Sequence, residues 1–245
     1  MIKDFFTAIT AYGQAIVLIS KLRLWTYVFL PGLISIFLAI AIFVAAYGWS
    51  DNIGGWLVRW YPWERGSSAI SLIADIFGGL LILALGLIVF KQLVMIVTGP
   101  FMSPLSEQVE RYSLSAENAV ENRTPTTGYQ VWRGLRIAFR NLFWELFFTV
   151  ILLLLGLIPV IAPFTVVGIF LLQSYYFGFG NLDFALERHY GAKDTIQFIK
   201  QHKGMALGNG VLSTLALMTV VGFLFILPIG VVAATIEMSK KKMGH

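Results

Sequence analysis

The chain has 245 residues, of which 58% are hydrophobic and only 13% charged, and its mean hydropathy is +0.78. Soluble domains carry about 25% charged residues, so the composition excludes an ordinary soluble fold and points to an integral membrane protein. The net charge of +5 sits in short segments flanking apolar runs, which disfavours nucleic-acid binding. The absence of cysteine excludes disulfides, thiolate catalysis and cysteine-ligated metal centres.

Residues 1–20, MIKDFFTAITAYGQAIVLIS, are interrupted by Asp4 and Gln14 and show no signal-peptide pattern, so they are expected to remain on the protein. Ile2, Phe5, Phe6, Ile9, Tyr12, Ile16 and Ile19 recur at helical steps, which predicts an amphipathic helix lying in the membrane interface. A first span is expected over 24–47, with Pro31 and Gly32 inside it. The following loop to Ser68 carries Trp49, Trp56, Trp60 and Trp63, read as an interfacial belt in preference to an aromatic ligand cage. The second span, 70–97, is longer than the hydrocarbon needs and must tilt, bend or project.

Residues 98–113 then read TGPFMSPLSEQVERYS. Gly99 and Pro100 are expected to end the second span, and Ser103 followed by Pro104 fits an N-cap with proline at the first helical position. A helix restarting there offers free N–H groups at Leu105 and Ser106, able to hold an anion, although plain helix punctuation accounts for the same residues. A cytoplasmic helical segment, 98–140, contains the polar linker 113–128. Region 141–176 carries Gly156, Pro159 and Pro163 at its centre and predicts a hairpin with arms of roughly 15 residues. A second cytoplasmic segment, 177–205, precedes another expected hairpin, 206–237, with Pro228 and Gly230 at its tip.

This layout leaves only Arg59 and Arg65 outside and puts every other lysine and arginine inside, so both termini are expected to be cytoplasmic. Hairpins that enter one leaflet and pairs of short full spans return to the same side, and charge does not separate them; arms of roughly 15 residues are short for full spans and favour the partly inserted hairpins.

Enzyme signatures are missing: there is no HExxH, GxSxG, Walker loop or dinucleotide fingerprint. The expectation is a non-enzyme without catalytic residues, metal or cofactor. Glu107 and Glu110, one turn apart, are poor candidates for an acid/base pair. Asp75, Lys91 and Glu145 lie within apolar runs, where a charge faces a partner, a pathway or, by snorkelling, the interface. Arg133, Arg136 and Arg140 recur at steps of three and four, either anchoring the helix to anionic headgroups or attracting an anion to a pore mouth.

Four stretches in order, ISKLRLWTYVFLPGL, GPFMSPLSEQVE, QSYYFGFGNLDFALERHYG and LPIGVVAATIE, resemble the CysZ/etoposide-induced-protein family over nearly the whole chain. The resemblance implies an all-α inner-membrane protein with two long spans and two partly inserted hairpins, often oligomeric, and it implies sulfate uptake. A Gly-Leu-Arg-Arg sequence is associated with sulfate binding in such chains. Here the chain reads Lys21-Leu22-Arg23-Leu24: with a short gap before Pro31, Arg23 matches one arginine and Leu24 replaces the other, whereas without the gap Trp25 and Thr26 stand there; the glycine is missing as well, and a sister branch is implied.

The combined expectation is a multi-pass, homo-oligomeric permease for a small inorganic anion in the lipid bilayer, sulfate first. Arg23, Ser103, Arg133, Arg136 and Arg140 are the anion-binding candidates. Glu107, Glu110, Arg111 and Asp183 are candidates for the pathway or for ion pairs. The alternative is a membrane-shaping scaffold whose hairpins wedge into one leaflet.

Overall fold

Helices follow the apolar runs, yet they join and break at other places than their prolines suggest. The computed structural model describes residues 2–60, 68–113, 127–156, 158 and 160–243. Among these are eight helices and no strand: α1 (Ile2–Lys21), α2 (Trp25–Trp60), α3 (Ser68–Ser113), α4 (Thr127–Leu155), α5 (Ala162–Leu186), α6 (Ala192–Gln201), α7 (Lys203–Leu217) and α8 (Val220–Met243). Among the described residues, five segments are long and apolar enough to cross a membrane, namely α1, Trp25–Ile42, Ile88–Ser113, Trp132–Leu155 and α5. The chain is an all-α membrane protein. Its outward residues agree, since Trp132, Phe139, Phe143, Phe164 and Val166 are exposed, a surface suited to lipid and not to water.

Helix α1 docks on α7 and α8 by a narrow face, Ala8, Ala11, Tyr12, Ala15 and Ile19. Of the large apolar residues in the expected interfacial stripe, Ile2, Phe6 and Ile16 are exposed instead. Small side chains win the docking face because they let backbones approach: a Cβ at Gly208 would meet the Phe5 carbonyl and Ala8. The turn into α2 places Arg23 at a φ of 53°, a left-handed conformation that non-glycine residues seldom adopt.

Helix α2 continues to Trp60, past the expected boundary at 47, so residues 48–60, expected in a loop, are helical. Trp63 lies outside the described residues, as does most of the 113–128 linker, and of Trp49, Trp56, Trp60 and Asp75 only the backbone is described. The larger correction concerns α3. It runs unbroken for 46 residues through both Pro100 and Pro104, about 69 Å at ~1.5 Å per residue. No helix ends at Gly99 and none restarts at Ser103, so the expected anion-binding N–H groups at Leu105 and Ser106 lie inside a helix. An interior proline costs about 3 kcal/mol, and tertiary packing offsets it here. Met102, Leu105 and Val109 on the opposite face are fully buried, and Arg188 donates to the Ser103 carbonyl at 3.3 Å.

The first hairpin breaks between Leu155 and Ala162, with Pro163 opening α5; Pro159 lies outside the described residues. Its arms, α4 with 29 residues and α5 with 25, are longer than the roughly 15 read from the apolar run, because both continue into the polar segments beside it. Arm length therefore gives no preference for partial insertion. The second hairpin turns at Met218 and Thr219, not at Pro228, which lies inside α8. The deciding residue is Thr219, whose hydroxyl accepts the Gly222 N–H at 2.9 Å as an N-cap. Pro228 frees the Leu224 carbonyl, and Gly32 of α2 packs on that oxygen, where a Cβ would sit 2.8 Å away.

The closest packing joins α5 to α7. A Cβ at Gly178 would strike the Ala206 carbonyl and one at Gly210 the Ser174 carbonyl, so only glycine permits this spacing. A buried polar cluster locks the same seam. Tyr12 Oη donates to Asn209 O at 2.6 Å, Asn181 Nδ2 donates to Asn209 Oδ1 at 2.7 Å and Asn209 Nδ2 donates to Gly230 O at 2.9 Å. In an apolar surround such bonds fix one register among α1, α5, α7 and α8.

Candidate functional site: a cavity between α3, α4 and α5

Residues Gln92, Ile96, Gly99, Ser103 and Glu107 repeat at three- and four-residue steps along one face of α3. They face Gly134, Ala138 and Asn141 of α4 and Gly180, Asp183 and Glu187 at the end of α5. Together these line a cavity of about 330 Å³. The space exists because small residues occupy the inward positions of all three helices. At Gly180 a Cβ would collide with the Met95 side chain. The segment GPFMSPLSE supplies one wall, so the stretch that fails as a helix break succeeds as a cavity lining.

Charged pairs surround this space. Glu110 accepts from Arg188 Nη2 at 2.8 Å and Nε at 3.2 Å, and meets His189 Nε2 at 2.6 Å. Arg188 also donates from Nη2 to Ser106 Oγ at 2.9 Å. Arg133 Nη2 lies 2.8 Å from Asp183 Oδ1 but aligns its N–H on Thr195 Oγ1 at 2.7 Å, so charge more than alignment holds the Arg133–Asp183 pair. Arg133 is only 2% exposed, and its Nε and Nη1 have no hydrogen-bond partner. Glu107 pairs with Arg111 at 2.6 Å in the more exposed part of α3.

Glu187, just beyond α5, is 7% exposed and its Oε1 has no hydrogen-bond partner. Burial pushes its pKa up to about 7; the hydrogen bond from Ser103 opposes this, Asp183 adds to it, and Arg188 and Arg133 pull it down. A group titrating there changes the charge of the cavity near neutral pH. At the Gln92 end, Gln92 Nε2 donates to Glu145 Oε2 at 3.2 Å, and Glu145 is paired with Lys91. Both are almost fully buried. Lys91 and Glu145 are thus a structural ion pair within the apolar layer and do not snorkel.

The candidates from sequence have separate fates. Ser103, Glu107 and Asp183 line the cavity, with Glu110, Arg111 and Arg133 bonded to its wall residues or their neighbours. Arg136 is exposed, and Arg140 donates to Asn141 Oδ1 at 2.8 Å while lying over the Phe179 ring; the three arginines do not form one ladder. Arg23 is exposed at the α1–α2 turn and does not line the cavity. Sequence reasoning missed Glu187 and Arg188. The available signal was the four-residue step from Asp183 to Glu187, which puts two carboxylates on one helix face.

Fold and site together define a multi-helix membrane protein with an open, partly charged cavity among its helices. Residues 11–228 match the family described as "Sulfate transporter CysZ/Etoposide-induced protein 2.4", and the chain belongs to that family. No curated protein matches it.

Proposed function

We propose that the chain is a membrane permease for a small anion, sulfate first, acting as a homo-oligomer in the inner membrane with both termini cytoplasmic. The observation that carries this reading is the convergence of buried charged and polar groups on one cavity of about 330 Å³. A charged group away from water costs several kcal/mol unless it serves a partner or a pathway. At about 30 Å³ per water, the space accommodates an oxyanion with part of its hydration shell.

Arg133, directly behind Asp183, is the binding group of this reading, because two of its buried donors have no partner. A guanidinium suits an oxyanion through paired N–H donors. Protonation of Glu187 lowers the negative charge that the anion must pass. The family match supports a transporter-like role without naming this chain's substrate. The scaffold reading fits a dry interior better than this one.

The test is uptake of labelled sulfate into proteoliposomes. Saturable, protein-dependent uptake that falls at least tenfold in Arg133→Gln supports the assignment; protein-independent uptake removes sulfate as the substrate.

A further inference from the structure

Oxygen acceptors that an anion would not use also stand on the cavity wall. On α3, Pro100 and Pro104 lie inside the helix and carry no N–H, so the carbonyls of Ile96 and Pro100, four residues earlier, have lost their usual helical donors. Ile96, Pro100, Ser103, Asp183 and Glu187 all line the same space. Charge is unbalanced there as well. Glu107 is paired with Arg111, Asp183 with Arg133, and Arg188 with Glu110. Glu187 remains as the carboxylate without an ion-pair partner, buried, with Oε1 lacking any hydrogen bond.

We propose that Glu187, the Ser103 hydroxyl and the proline-freed carbonyls of α3 form a binding site for a monovalent inorganic cation, sodium or potassium. Hard cations take carboxylate, hydroxyl and carbonyl oxygens. The site adjoins Asp183 and, behind it, Arg133. A cation at Glu187 neutralises the charge an entering anion meets.

Binding is read on the purified full-length protein in lipid nanodiscs, by thermal unfolding at pH 8 without sulfate, as sodium or potassium gluconate replaces N-methylglucamine gluconate. The expected result is a saturable rise in Tm with one cation, with affinity at least tenfold weaker in Glu187→Gln and reduced in Ser103→Ala. Glu187→Gln is isosteric and should unfold in N-methylglucamine no earlier than the parent, which shows that it folds. No cation-specific shift in the parent overturns the proposal. So does an equal shift in Glu187→Gln, or a response to pH alone, which makes Glu187 a proton site. Sulfate uptake is a separate measurement: uptake without a cation effect overturns the cation site and leaves the transport reading standing.

Discussion

Replacing Lys91 by methionine leaves the Glu145 carboxylate in a site where it has 0% exposure, with Gln92 at 3.2 Å as its remaining side-chain partner. Removing one member of a buried ion pair costs about 3–5 kcal/mol, since the survivor keeps its desolvation cost and loses the attraction that offset it. The chain length of Met is close to that of Lys, so little cavity term adds to this figure. Replacing both residues, Lys91→Met with Glu145→Leu, removes the stranded charge and should recover most of the loss. Thermal unfolding in one detergent at one pH, read by tryptophan fluorescence, measures all four members of the cycle. A coupling of about 2 kcal/mol or more is the expected outcome. If Lys91→Met lowers stability by less than about 1 kcal/mol, or if the double variant is no better than the single ones, the pair is not the desolvated contact described here.

Stability should also depend on pH through Glu187. Its pKa is raised from 4.5 to about 7, so between these values the folded state binds more protons than the unfolded one, and stability falls as pH rises through about 7. The shift corresponds to roughly 3 kcal/mol, and Glu187→Gln should flatten that part of a Tm-versus-pH curve; an unchanged slope refutes the burial argument. At the α5–α7 seam, Gly178→Leu places a side chain against the Ala206 backbone and should abolish the folded, monodisperse protein in size-exclusion chromatography, whereas Gly13→Leu, with open space around it, should not.

The helical class and the first hairpin were readable because long apolar runs and a Gly-Pro-Pro cluster act locally. The fate of Pro100 and Pro104 was not, because their cost is offset by packing of Met102, Leu105 and Val109 against distant helices. Pro228 misled for the same reason: its freed carbonyl is covered by Gly32, on another helix, while the turn is set by the less conspicuous Thr219 cap. Site residues were identified by type more easily than by role. Lys91 and Glu145 are 54 positions apart, and Glu110 and Arg188 are 78 apart. Their pairing follows from how three helices assemble around small residues, which no spacing within one helix reveals.

The chain has no cysteine, so a single introduced thiol is a unique label. Ala138 lines the cavity from α4, and Ala138→Cys changes little volume. Reaction of that thiol with a bulky methanethiosulfonate in proteoliposomes, with sulfate uptake measured before and after, tests directly whether solute passes through this space. Uptake by the unlabelled variant followed by its loss on complete labelling is the expected result. Undiminished uptake after complete labelling contradicts a pathway between α3, α4 and α5.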